Sequence, residues 1–130
     1  TNELCKNLLN NKYLKGEEEI NSKNEEELKN TIEKRLTSFG SKFEDVKREY
    51  PISGLGGISD FLVDGLPYEV KLQKATFHDV GQLLAYLICL NQKEGTLIAP
   101  EFNSGAEFFV EELKAKYDIK MNLIHSNQFD

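Results

Sequence analysis

The sequence predicts an α/β fold in which helices pack on a mixed central sheet. Two observations support this prediction: short apolar segments of strand type alternate with longer segments of helical periodicity, and their order is helix, three strands, helix, strand, helix, strand. The length of 130 residues suits a single domain over residues 1–130. Within it we expect residues 1–21 to form a helical extension and residues 125–130 a polar tail.

Three helical segments accompany the predicted strands. The first starts at Ser22, which lies three residues before Glu25 as in a capping box, and is expected to end near Gly40. The second spans residues 76–91 and is apolar enough to be largely buried. The third is expected to begin at Ser104, where a cap-forming residue precedes an amphipathic pattern.

Five segments have strand character. They are residues 43–52, 58–63, 68–72, 96–99 and 119–124. The second and third are joined by Asp64-Gly65, a dipeptide typical of tight hairpin turns. We therefore expect the first three strands to form an antiparallel meander.

Composition and charge narrow the range of functions. The net charge of −6 disfavours a broad basic face for nucleic acid, so any contact with DNA must depend on local charge. The longest apolar run, residues 83–90, is far shorter than the roughly 20 residues that span a membrane. We expect a cytoplasmic protein without a membrane partner, in which Cys89 is a buried free thiol.

Charged residues on the predicted hairpin indicate a chemical site. Glu69 and Lys71 are two apart on one strand and so project from the same face, and pairing across the turn brings Asp60 near them. Two converging carboxylates favour a hard divalent cation such as Mg²⁺. A neighbouring lysine can orient a water molecule or offset phosphate charge, which suits metal-assisted hydrolysis of a phosphodiester.

This motif resembles that of the PD-(D/E)XK nuclease superfamily. Asp60 is followed, after eight residues, by Glu69-Val70-Lys71, and Ser59 stands where the name-giving pattern has proline. The resemblance implies a restriction-endonuclease-like αβββαβ core. It also implies that Asp60, Glu69 and the Val70 carbonyl bind Mg²⁺, with Mn²⁺ able to substitute, and that Lys71 orients the attacking water.

A second motif lies on the following helix. Gln82 and Tyr86 are one helical turn apart and are similar to the Gln-x-x-x-Tyr motif of RecB-like nucleases, which implies that they help to hold the nucleic acid. A polar pair in an apolar helix also needs hydrogen-bond partners. Lys74, just beyond Lys71, is a candidate phosphate contact.

A third element precedes the meander. The segment Glu25-Glu26-Glu27-Leu28 resembles the Glu-x-Glu-Leu pattern of archaeal Holliday junction resolvases, which implies that Glu25 completes the catalytic set. Glu25 also shares a helical face with Leu28 and Ile32. Its alternative role is the acidic member of the capping box, and Glu26 is the second candidate for the catalytic position.

Three functions remain open on these grounds. The resemblance favours a Mg²⁺-dependent deoxyribonuclease, of RecB-like exonuclease or flap type. The Glu-x-Glu-Leu match and the small size favour a homodimeric junction resolvase. The acidic net charge of −6 keeps open a third function, that of a catalytically inert nuclease-fold module for nucleic-acid binding or assembly.

Overall fold

The computed structural model describes residues 24–129, in which five strands form one sheet. The predicted extension over residues 1–21 and the cap residue Ser22 lie outside this range. The elements are α1 (24–37), β1 (Val46–Pro51), β2 (Ile58–Val63), β3 (Leu66–Val70), α2 (Phe77–Leu90), β4 (Glu94–Ala99), α3 (Ser104–Tyr117), β5 (Lys120–His125) and a 3-10 helix (Ser126–Phe129).

The sheet is mixed, with strand order β1-β2-β3-β4-β5. The first three strands pair antiparallel as the predicted meander, whereas β3-β4 and β4-β5 are parallel. Parallel neighbours need a crossover, which α2 and α3 provide. The predicted α/β fold with an αβββαβ order and a mixed sheet flanked by helices is therefore confirmed.

Helices cover both faces of the sheet. On one face α1 contributes Ile32 and Leu36 to a core that includes Phe61 of β2. On the other face α2 and α3 pack over β4, with Leu83 and Leu97 among the fully buried side chains. The spacing of apolar residues along each helix thus matches the face that the sheet covers.

The turn between β2 and β3 has the geometry that its sequence predicts. Asp64 has a φ of 49° and Gly65 a φ of 84°, and positive φ at both central residues is typical of a type I′ hairpin turn. The Asp64 carboxylate also accepts hydrogen bonds from the main-chain N–H groups of Glu44 and Asp45. Asp64 therefore fixes the turn end of the hairpin, away from the charged residues of interest.

Several boundaries differ from the prediction. β3 begins at Leu66 because the turn is tight, and it ends at Val70, so that Lys71 follows the strand. Helix α3 is capped by Asn103 instead of Ser104, since the Asn103 side chain accepts a 2.8 Å hydrogen bond from the Ala106 N–H.

Two further expectations are corrected at the surface. Cys89 is exposed, because α2 buries only one side and presents Ile88, 69% exposed, beside it. The predicted tail is ordered as far as residue 129, since His125 ends β5 and Phe129 packs against the α1 side of the core. No helix in the described part of the chain combines the length and apolar character needed to cross a bilayer.

Candidate active site

The hairpin of β2 and β3 divides at its open end, and the charged residues lie at this fork. Asp60 and Glu69 come immediately after the last paired residues, and their side chains bridge the gap. The Asp60 N–H donates to Glu69 Oε1 at 3.2 Å, and the Val70 N–H donates to Asp60 Oδ2 at 2.8 Å. Each carboxylate thus accepts a main-chain N–H from the opposite strand. The paired positions before the fork are Val63↔Leu66, Leu62↔Pro67 and Phe61↔Tyr68.

The main chain at Val70 also turns toward the fork. The N–H of Lys71 donates to the Ile98 carbonyl of β4 at 2.8 Å, whereas the Val70 N–H faces Asp60. Consecutive residues of a strand present their N–H and C=O groups to opposite edges. The Val70 carbonyl is therefore directed to the edge that carries Asp60, as the predicted ligand set requires.

Glu69 is the most deeply buried acid of this group. Its side chain belongs to a residue only 2% exposed, and its pKa is raised to about 8, first by burial and then by the negative charge of Asp60. Lys71 lowers this pKa but does not offset the two larger causes. Burial and the neighbouring carboxylate therefore both favour the protonated form of Glu69.

Lys29 of α1 enters the same site, which the sequence reasoning missed. It is 9% exposed, and its Nζ lies 2.9 Å from Asp60 Oδ1 and 3.3 Å from Glu25 Oε1. Burial lowers the pKa of Lys29, but the hydrogen bonds and charges of Asp60 and Glu25 together raise it above its usual value. The sequence did contain a signal for this burial. Lys29 lies three residues before Ile32, which is buried, and so lies on the apolar side of an amphipathic helix.

Glu25 reaches the fork only through this lysine. Its side chain is 45% exposed and its oxygen pairs with Lys29, which in turn contacts Asp60. Glu26, the second candidate, pairs instead with Arg48 of β1 at 2.8 Å. Among residues 24–129, no group of three or more histidine, cysteine, aspartate or glutamate side chains is arranged to hold a metal ion. The structure brings Asp60 and Glu69 together, whereas Glu25 is connected to them only through Lys29.

A chain of hydrogen bonds connects Lys71 with α2. Lys71 Nζ donates to Gln82 Oε1 at 2.8 Å, and Gln82 Nε2 donates to the Tyr86 hydroxyl at 3.1 Å. The hydroxyl donates to the Ile58 carbonyl at 3.3 Å. Gln82 is exposed, whereas Tyr86 is only 3% exposed. The two predicted residues therefore meet, with Gln82 at the surface and Tyr86 holding the start of β2.

The ring of Tyr86 also packs closely on the loop before β2. A Cβ atom placed on Gly57 would lie 2.9 Å from the Tyr86 hydroxyl oxygen, which is closer than such atoms approach one another. Burial, followed by the charge of Glu69, raises the pKa of Tyr86. Glycine at position 57 thus permits the contact through which α2 fixes the β2 side of the fork.

The two remaining charged neighbours have different surroundings. Asp79 Oδ1 lies 3.6 Å from Lys71 Nζ, and its Oδ2 accepts a hydrogen bond from the Thr76 N–H at the start of α2. Asp79 therefore helps to hold Lys71 as well as capping the helix. Lys74 is exposed, and its Nζ lies 3.9 Å from Glu101 Oε2, so this ion pair is not with a residue of the fork.

The atoms at the fork that could bind a metal ion are all oxygens. Two carboxylates and a main-chain carbonyl form the type of ligand set that Mg²⁺ and Mn²⁺ bind. A divalent ion would also offset the mutual repulsion of the Asp60 and Glu69 carboxylates. The residues present therefore fit the cation that the sequence predicts.

Comparison with known proteins gives one similarity. No family model matches the chain, and no curated protein matches it. Among solved structures the chain is similar to a repair endonuclease from Pyrococcus abyssi, with 28% sequence identity and a TM-score of 0.49. The similarity covers 71% of this chain and 42% of the endonuclease chain, so the chain spans less than half the length of that protein.

Proposed function

We propose that this protein is a nuclease that depends on a divalent metal ion and hydrolyses phosphodiester bonds in DNA. The observation that carries the proposal is the fork, where the buried Glu69 and Asp60 face each other at the end of a hairpin with Lys71 directly beyond them. Two adjacent buried carboxyl groups are costly unless a proton or a cation offsets their charge. The arrangement is suited to a cation of charge two.

Asp60, Glu69 and the Val70 carbonyl would hold the ion, with Mg²⁺ as the natural cofactor and Mn²⁺ able to substitute. When bound, the ion would polarise the phosphate and promote ionisation of the attacking water. The protein would supply the fixed ligands and the partial exclusion of solvent that strengthen these electrostatic effects.

Lys71 would act on the water and the phosphate. Its ammonium is held by Gln82 at 2.8 Å and by Asp79 at 3.6 Å, so its position is constrained from α2. A constrained ammonium can orient the water and offset negative charge that develops on the phosphate. Gln82 and Lys74, which are both exposed, would contact the DNA strand, whereas Tyr86 would be a positioning residue that acts through Gln82.

The hydrogen-bonded chain from Lys71 through Gln82 to Tyr86 favours the RecB-like type, an exonuclease or flap nuclease. A junction resolvase would require Glu25 to join the metal ligands and the chain to act as a homodimer. A module without hydrolytic activity is favoured by one specific contact, the 2.9 Å ion pair between Lys29 and Asp60, which neutralises part of the site without a metal.

A cleavage assay tests the proposal. The purified protein would be incubated with Mg²⁺, Mn²⁺ or a chelator on labelled single strands, flaps and four-way junctions. Asp60→Asn and Glu69→Gln are the informative variants, because each keeps an oxygen that can accept the cross-strand N–H bond while it removes the charge. Asp45→Asn, which removes one exposed carboxylate on the β1 side, is the matched control.

We expect metal-dependent cleavage by the wild type and by Asp45→Asn, and a loss of at least about a hundredfold in the two site variants. Cleavage of flaps and single strands without junction cleavage would support the RecB-like type. Unchanged cleavage by either site variant would refute the assigned residues. Absence of cleavage on every substrate, with Mn²⁺ still bound, would support the inert module.

A further inference from the structure

The Lys29 ammonium contacts the Asp60 oxygen that would have to bind a metal ion. Asp60 has two carboxylate oxygens: Oδ2 accepts the Val70 N–H, and Oδ1 lies 2.9 Å from the Lys29 ammonium. Strand alternation places the Asp60 side chain on the face opposite Phe61, whereas α1 packs with Phe61. The lysine and the aspartate therefore meet where β2 and β3 separate.

We propose that Lys29 is a competitor of the metal ion that is built into the fold, and that Glu25 receives its ammonium when the ion binds. This inference rests on the proposed metal site at Asp60 and Glu69. An ammonium and a divalent cation on one carboxylate repel each other strongly at a site of low solvent exposure. Lys29 must therefore leave Oδ1, or share it at a cost in metal affinity.

Glu25 provides the alternative position. It lies four residues before Lys29 on α1, the two side chains are already 3.3 Å apart, and the Glu25 side chain is 45% exposed. A small rotation of the long lysine side chain toward Glu25 would keep the ammonium paired while freeing Asp60. Glu25 would then be a positioning residue that influences metal binding through Lys29, and not a metal ligand.

Calorimetric titration with Mn²⁺ tests the inference on the whole chain. The variants are Lys29→Gln, Glu25→Gln and the double variant, with Lys29→Met as an apolar replacement in case Lys29→Gln does not fold. Lys116→Gln is the matched control, since it removes a lysine from another i,i+4 ion pair, on α3. The rise in unfolding temperature on adding Mn²⁺ provides a second readout that does not depend on activity.

We expect Lys29→Gln to bind Mn²⁺ at least about tenfold more tightly than the wild type, and Lys116→Gln to match the wild type. Glu25→Gln should bind more weakly than the wild type, because the displaced ammonium loses its partner. In the double variant the Glu25 substitution should have no effect, since no ammonium remains to be received.

Other outcomes separate the two proposals. If the wild type binds Mn²⁺ and Lys29→Gln binds equally or more weakly, the competition is refuted while the metal site stands. If Glu25→Gln weakens binding equally with and without Lys29, Glu25 is a ligand and its assigned role is refuted. If the wild type and every variant fail to bind at millimolar Mn²⁺, the proposed metal site fails and the inference fails with it.

Discussion

Replacing Glu69 with glutamine should make the metal-free protein more stable at alkaline pH. The pKa of Glu69 is raised from 4.5 to about 8 by burial and by the charge of Asp60, so the folded protein holds this proton more tightly than the unfolded chain does. The stability that the proton contributes is complete below pH 4.5 and is lost as the pH rises to about 8. Glutamine is neutral throughout and avoids this loss.

The size of the effect follows from the shift. Each pKa unit corresponds to about 1.4 kcal/mol of differential stability. Because the carboxyl is 2% exposed, solvent screening is small, although structural relaxation around an ionised Glu69 would reduce the full value. We expect a gain of about 2 to 4 kcal/mol in the free energy of unfolding at about pH 9 and little change at about pH 5. The hydrogen bond from the Asp60 N–H can be kept, since glutamine retains an acceptor oxygen.

Urea unfolding in chelator, measured from about pH 5 to about pH 9.5, would show whether the two stability curves diverge. Glu101→Gln, a change of the same kind at an exposed acid, is the control and should follow the wild type. Parallel curves for Glu69→Gln and the wild type would refute the reasoning, because they would mean that Glu69 ionises in the folded state as readily as in the unfolded state.

Three further changes probe the framework of the site. Gly57→Ala should cost about 1 to 3 kcal/mol in urea unfolding, because the new methyl group meets Tyr86 at 2.9 Å from its hydroxyl oxygen and 3.0 Å from Cε1, and the cost should fall in a Tyr86→Leu background, which removes the ring; equal costs in both would contradict the contact. Arg48→Gln should weaken the attachment of α1 by about 1 kcal/mol through loss of its ion pairs with Glu26 at 2.8 Å and with Glu33 at 3.2 Å, seen as faster amide exchange in α1; unchanged exchange would argue against it. Asn91→Gly should raise stability by about 0.5 kcal/mol in the same unfolding assay, since Asn91 ends α2 with a φ of 54°; a loss would show that its side chain matters more than the backbone.

Local patterns in the sequence were sufficient to predict the hairpin of β2 and β3 and the positions of its charged residues. The Asp-Gly turn fixes the register, and the register places Asp60 opposite Glu69, so two carboxylates on neighbouring strands could be predicted to converge. The i,i+4 spacing of Gln82 and Tyr86 likewise predicted that the two side chains would be adjacent. These relations depend only on strand and helix geometry.

Relations between distant elements could not be obtained in this way. The contact of Lys29 with Asp60 depends on how α1 crosses the sheet, and no local pattern specifies that crossing. The same holds for the contact of Glu26 on α1 with Arg48, which lies on a strand about twenty residues later in the chain. The predicted burial of Cys89 was wrong for the same reason. An apolar helix can be covered on one side only, and the neighbouring elements decide which side.

The fork explains why folding and the proposed chemistry depend on the same atoms. A substrate phosphate would bind, in the proposed chemistry, beyond the last paired residues of β2 and β3, where main-chain N–H groups need side-chain acceptors. Asp60 and Glu69 satisfy two of them, so they would stabilise the open hairpin even in the absence of a cation. An alanine at either position would remove a ligand and a main-chain acceptor together, and lost cleavage would then have two explanations. Amide replacements separate them, because they remove the charge that a metal ion requires and leave the acceptor that the strands require.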